Sequence, residues 1–268
     1  MQPTGVVLDT VANLHSGPRT DLDVVTQAIL GTSLVVEESS NGWHYVLMPD
    51  EYHAWIEARH VRLYEPDEPA YATSGRLGEV QTLMPFLYDG PDGVSRAPAG
   101  RVTLGVRMAV VEEREDWALV ALPDQARRWM RAGDLALVDP ALPRPRGSVE
   151  ALLATARRLL GLPYLFGGTT PLGIDCSGLV QLVYRLHGVQ LLRDSRIQYT
   201  DPSLAPVERD GLQAGDLIFF GRERITHVGL CLGAPTFIHA TAYRVPVVQI
   251  SSLEEPHWTE LYWGARRP

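Results

Sequence analysis

Residues 30–56 (LGTSLVVEESSNGWHYVLMPDEYHAWI) and 104–130 (LGVRMAVVEEREDWALVALPDQARRWM) align without a gap. Residue 30 meets residue 104, a constant offset of 74. Leu30-Gly31 meets Leu104-Gly105, Trp43 meets Trp117, Pro49-Asp50 meets Pro123-Asp124, and Trp55 meets Trp129. Shared rare residues at one offset mark a duplication, so whatever one copy folds into, the other must too. Each copy breaks short runs rich in Val, Leu and aromatics with Asn-Gly, Pro-Asp or Gly-Pro turn signals, which is the pattern of short strands. A unit of about 60–70 residues with this pattern fits a small all-β barrel. The first module is expected over residues 1–66 and the second over residues 75–139. Their tryptophans read as core packing rather than ligand contacts.

The stretch DPALPRPRG, residues 139–147, reads as a linker, with the joint itself at 140–147. Ser148 can cap a helix over residues 149–160, where VEALLATARRLL has apolar positions at helical spacing, and Gly161 is a stop signal. A third domain is therefore expected over residues 148–268. Net charge is −8, which does not favour a nucleic acid or an anionic membrane as partner. No run approaches the roughly 20 apolar residues of a membrane span. The N-terminus has neither a basic stretch nor an apolar core of the secretory type. Two cysteines, Cys176 and Cys231, do not suit a disulfide-stapled fold. A cytoplasmic monomer is the expectation.

The segment GIDCSGLV places Cys176 where helical spacing begins, with Leu179, Val180, Leu182, Val183 and Leu186 as the apolar positions. Unpaired N–H groups and the dipole at a helix start favour an anion, lowering a thiol's pKa, and the same N–H groups can hold an oxyanion. A nucleophile and an inert core cysteine are the two readings the residues leave open. Downstream, strands are expected over residues 216–220, 227–232 and 237–242, the last two joined as a hairpin. That hairpin can bring His227 and His239 to one sheet face. Cys176 would then attack, His227 would carry the proton and His239 would orient the imidazole. Cys231 reads as core. The histidines lack HExxH or CxxC company, so neither a metal nor any other cofactor is expected.

The order YLFGG, DCSGLV, RDSRIQ, GDLIFF, THVGLCLG, FIHA, spread over residues 161–242, resembles the NlpC-type cysteine peptidases of the papain-like clan. The Trp-x-x-Val, Pro-Asp, Trp skeleton of the repeats resembles the bacterial SH3-like modules fused to cell-wall enzymes. The resemblance implies an α+β fold: a papain-like domain with helices on an antiparallel sheet, preceded by two SH3-like barrels. It implies hydrolysis of the amide between γ-D-glutamate and a diamino acid, meso-diaminopimelate or lysine, in murein tripeptides or tetrapeptides. The whole chain is similar to the γ-D-glutamyl-L-diamino acid endopeptidases of murein peptide recycling, in which the first module closes one end of the cleft and a free N-terminal L-alanine is required.

By this resemblance Asp194 and Ser195 hold the substrate's amine, with Tyr52 and Glu51 as the candidates from the first module. Tyr164 touches the substrate near the scissile carbonyl and helps the oxyanion. Asp175 and Ser177 shape the loop, cap the helix and meet the glutamyl group. Phe166 stands where such enzymes commonly have Trp, and Thr32 where an acid is expected. Gln125-Ala-Arg replaces the Glu51-Tyr52-His region in the second copy, so that copy is expected to be structural. The competing expectations are a secreted hydrolase holding intact wall through its modules, a same-clan amidase or acyltransferase, and a binding protein with a decayed site.

Overall fold

A computed structural model of the protein describes residues 3–92 and 97–268. The chain divides into two compact units, Met1–Pro143 and Arg144–Pro268, with the division inside the proline-rich stretch.

The N-terminal unit holds both copies of the repeat. The first comprises β1 (Thr4–Val7), β2 (Val11–His15), β3 (Val24–Ile29), β4 (Ser33–Ser40), β5 (Trp43–Leu47), β6 (His53–Glu57) and β7 (Val61–Leu63). The second comprises β8 (Leu77–Val80), β9 (Phe86–Leu87), β10 (Gly100–Arg101), β11 (Arg107–Arg114), β12 (Trp117–Ala121), β13 (Arg127–Arg131) and β14 (Leu135–Val138). Strand order is β3-β2-β6-β5-β4-β1-β7 in the first sheet and β13-β12-β11-β8-β14 in the second. The five strands β6-β5-β4-β1-β7 thus recur in identical order.

The copies agree below the level of strands. A bulge falls between Val36 and Glu38 in one and between Val110 and Glu112 in the other. Positive φ recurs at Gly31 and Gly105, at Asn41 and Glu115, and at Glu51 and Gln125. Bulges and left-handed residues re-aim a strand, so sharing them means sharing the twist of the sheet. Each copy has its own apolar core, one around Leu14, Val36, Val46 and Ile56, the other around Val80, Met108, Val120 and Met130. Ile29 and Leu30 of the first copy belong to the second core. Between the copies Tyr71 donates its hydroxyl to the Ala121 carbonyl at 2.7 Å. Tyr71 therefore packs against the second copy rather than merely connecting the two.

The C-terminal unit begins with α1 (Val149–Arg158), whose first turn is capped by Ser148 accepting from the Ala151 N–H. The helix ends two residues short of the expected 160, and Gly161 turns the chain with φ +81°. A short hairpin, β15 (Thr169–Thr170) and β16 (Gly173–Ile174), leads to α2 (Cys176–Leu186). Then come α3 (Ser195–Thr200), β17 (Ala205–Val207), β18 (Leu217–Gly221), β19 (Ile225–Gly233), β20 (Thr236–Thr241), β21 (Val247–Ser252), α4 (Pro256–Leu261) and β22 (Tyr262–Arg267). The sheet runs β17-β22-β18-β19-β20-β21, all antiparallel. Asp216, nearly inaccessible, receives both arms of the Arg267 fork at 2.7 and 2.8 Å, tying the last strand beside β18. Ile218, Phe220, Cys231, Phe237, Leu253 and Trp258 form one core cluster, while α2 packs against β19 and β20.

Candidate active site

The start of α2 is held by two close approaches that only glycine permits. A Cβ on Gly178 would lie 2.3 Å from the Gly168 carbonyl oxygen, and one on Gly168 would lie 2.3 Å from the Gly173 oxygen. The helix therefore seats directly on the Gly-Gly loop, and the Asp175 N–H donates to the Gly168 carbonyl. Asp175 is the N-cap. Its carboxylate accepts from the Gly178 N–H at 2.7 Å, the Gly167 N–H at 3.0 Å and the Ser177 hydroxyl at 3.2 Å.

The same carboxylate also receives the fork of Arg193, at 2.6 and 3.0 Å, and that guanidinium donates to Ser177 Oγ at 2.8 Å. Arg193 is 1% exposed. A buried charge is tolerated only with a partner and its donors filled, and the bidentate arrangement supplies both. Sequence reasoning missed this residue. The signal was an arginine directly after Leu191-Leu192, ahead of the Asp-Ser pair.

Cys176 is the first residue of α2. Its sulfur takes backbone hydrogen bonds from Val228, the residue after His227, and from Ser177. Burial, then Asp175, push the thiol up to about 12, against the pull of those N–H groups and of Arg193. The expectation of a thiol lowered by the helix start is thus overturned. A helix terminus contributes at most about 2 kcal/mol, and burial outweighs it here.

Strand pairing puts the histidines together. Leu230 pairs with Ile238 and Cys231 with Phe237, so Gly229 lies opposite His239 and His227 is its diagonal neighbour. A Cβ on Gly229 would meet the Phe237 ring at 2.6 Å, so the position opposite His239 has no room for a side chain. His227 Nε2 lies 2.7 Å from His239 Nδ1. Behind them, His239 Nε2 lies 3.1 Å from Ser251 Oγ. Trp258 stacks on His227 with centroids 5.3 Å apart and meets His239 edge-on at 4.7 Å. Burial pushes His227 down to about 4, with His257 acting in the same direction and Asp175 against. Burial, then His227 and His257, push His239 to about 2. Burial thus favours the neutral form of both rings. Trp258 and Ser251 were also missed, because neither belongs to a local motif.

The remaining candidates divide between the units. Tyr164 is half-buried beside the helix start, and burial followed by Cys176 and Asp175 push its phenol up to about 12, so it stays a donor. Asp194 is the N-cap residue of α3 and adds its field to Arg193, and Ser195 is buried. Phe166 is 63% exposed on the loop before the hairpin. Tyr52 and Glu51 lie in the N-terminal unit, in the β5–β6 turn. Tyr52 packs on the first core, and Glu51 is exposed at φ +63°. Thr32 lies between β3 and β4, its carbonyl accepting from the Val7 N–H.

Residues 161–267 match the NlpC/P60 family, and residues 14–61 match the bacterial dipeptidyl-peptidase Sh3 domain. A γ-D-glutamyl-L-lysine dipeptidyl-peptidase of Bacillus cereus is 29% identical over 254 residues, covering 90% of this chain and 74% of that protein. A probable endopeptidase NlpC homolog of Haemophilus influenzae is 31% identical over 159 residues, 59% of this chain and 84% of that one. The crystal structure of an NlpC/P60 family protein from Bacillus cereus superposes with a TM-score of 0.86 at 24% identity, covering 98% of this chain and 99% of that one. The fold is therefore a papain-like domain with an all-β SH3-like N-terminal region. With a cysteine opening a helix and a strand-borne pair of histidines beside it, the chain belongs to the NlpC/P60 family of cysteine peptidases.

Proposed function

We propose that the protein hydrolyses the amide between γ-D-glutamate and an L-diamino acid in murein peptides that begin with a free L-alanine. The observation that carries the chemistry is the 2.7 Å contact of His227 with His239, next to the Val228 N–H that meets the Cys176 sulfur. The substrate class rests on relatives matched over nine-tenths of this chain, two of them γ-D-glutamyl-L-lysine dipeptidyl-peptidases.

The Cys176 sulfur attacks the γ-carbonyl as its proton passes to His227 Nδ1. His227 serves as the general base that takes the thiol proton. The Cys176 N–H, unpaired within the first helical turn, and the Tyr164 hydroxyl stabilise the oxyanion. The C–N bond breaks as His227 returns the proton to the leaving amine, giving a thioester. Water, deprotonated by His227, then releases L-Ala-γ-D-Glu and restores the thiol. Asp194 and Ser195 hold the alanine ammonium by charge-assisted hydrogen bonds; a part for Tyr52 and Glu51 rests on the resemblance alone. Phe166 lines the loop side of the cleft. A requirement for a free amine suits soluble peptides over polymer, and the proposed role in cytoplasmic recycling rests on that requirement.

One observation favours a second reading. A murein DD-endopeptidase of Escherichia coli is 41% identical, though over only 40% of this chain. Mass-spectrometric assay of L-Ala-γ-D-Glu-meso-diaminopimelate, its N-acetylated form and a DD-cross-linked dimer separates the two. The expected result is cleavage of the free peptide alone, lost in Cys176→Ala. Cleavage of the dimer at its cross-link, or equal cleavage of the acetylated peptide, overturns it.

A further inference from the structure

We infer that Ser251 is a positioning residue of the histidine pair: its Oγ terminates the hydrogen-bond chain and holds His239 in the tautomer that leaves His227 basic. Each neutral imidazole carries one proton on one of its two nitrogens. Between His227 Nε2 and His239 Nδ1, 2.7 Å apart, one nitrogen donates and the other accepts. If His239 Nδ1 donates, His227 Nε2 is bare and the proton of the neutral His227 ring is on Nδ1. That nitrogen then cannot take the thiol proton. If His227 Nε2 donates, its Nδ1 is bare and able to act, and His239 must carry its own proton on Nε2. That Nε2–H points at Ser251 Oγ, 3.1 Å away.

Once His227 has taken the thiol proton, the chain still runs from His227 Nε2–H to His239 Nδ1 and from His239 Nε2–H to Ser251. One direction of hydrogen bonding thus serves both halves of the cycle, and no proton need move between the rings. His239 is 0% exposed, so its Nε2–H needs a protein acceptor. Trp258, Phe237 and His227 pack on the ring but supply no oxygen at that nitrogen. Ser251 can reach because it pairs with Phe237, one diagonal step from His239, whose direct partner is Gln249. The ionisable groups whose fields reach the pair are Asp175 at the α2 N-cap and His257 on α4. Neither replaces the hydroxyl.

Without the hydroxyl, the buried Nε2–H is left unpaired. A bare ring nitrogen there costs less, so the pair shifts toward the tautomer in which His227 is not a base. The test uses the full chain and two readouts. The first needs no substrate, so it stands even if the substrate reading above fails: 15N-resolved NMR of the imidazoles at neutral pH. The wild type should show both rings protonated on Nε2, and Ser251→Val should show a population protonated on Nδ1. The second is turnover of the free-amine tripeptide. Ser251→Val should lower kcat about 10- to 100-fold with KM changed less than about twofold, while Ser251→Thr, equal to Val in shape but keeping the hydroxyl, stays within about threefold of wild type. A wild-type His239 protonated on Nδ1 overturns the inference, even if no variant folds. So does a Val variant with wild-type tautomers, or one as active as the Thr variant.

Discussion

The two copies of the repeat share a backbone and differ in what covers their tryptophans. In the first, Trp43 and Trp55 are half-buried, Tyr45 packs between Trp55 and the exposed His53, and the buried His15 meets Trp43 edge-on. In the second, Trp117 and Trp129 are 7% and 8% exposed. Arg131 lies 4.1 Å over the Trp117 ring and Arg114 lies 5.2 Å over Trp129. The second copy has also lost most of its first hairpin: β9 and β10 are two residues each, where β2 and β3 have five and six. The turn that carries Glu51-Tyr52 in the first copy carries Gln125-Ala126 in the second, at the same left-handed φ. The lesson is that a duplicated frame preserves the bulges and turns that hold a sheet together. Side chains on that frame then diverge, one copy leaving its tryptophans half-buried and the other burying them.

The largest expected effect sets burial against exposure. Trp117→Ala removes a covered ring and should cost about 3–5 kcal/mol of stability without changing kcat/KM, whereas Trp43→Ala should cost about 1–3 kcal/mol. Thermal and urea denaturation of both variants measure this, and equal losses would break the contrast between the copies. Next is the contrast in function. By the resemblance, Tyr52→Phe should lower kcat/KM for the free-amine tripeptide about tenfold, because one hydrogen bond to a charged amine is worth about 1.5–3 kcal/mol. Gln125→Ala at the matching turn should change neither rate nor melting temperature, and a rate loss there would show the second copy to be more than structural. The smallest effect sharpens the shared frame. Glu51→Gly and Gln125→Gly relieve the same left-handed strain and should each shift stability by less than about 1 kcal/mol, with the same sign. Opposite signs, read by denaturant titration, would mean that the two turns are not equivalent in energy.

Much of this was legible because its signals are local or periodic. The helix from Cys176 to Leu186 follows from apolar spacing behind an Asp cap, and the β19–β20 hairpin from two short apolar runs around Gly-Ala-Pro. The diagonal placement of His227 and His239 follows from that hairpin once its register is known, and the register depends on the irregularity between Cys231 and Gly233. No local pattern announces such an irregularity. Asp175 looked like a residue that caps a helix and touches substrate. The structure shows the cap, and shows its remaining lone pairs occupied by an arginine 18 residues further on.

By itself, the sequence determined the duplication, the all-β character of each copy, the helix that begins at Cys176 and the pairing of the two histidine strands. These rest on contacts between near neighbours along the chain or on a constant offset. Tertiary structure alone decided that Arg193 is buried against Asp175, that Ser251 and Trp258 complete the surroundings of the histidines, and that the Cys176 thiol is raised rather than lowered. Each of these depends on groups brought together from distant parts of the chain, and desolvation is a sum over every atom that excludes water, which no short stretch of residues contains.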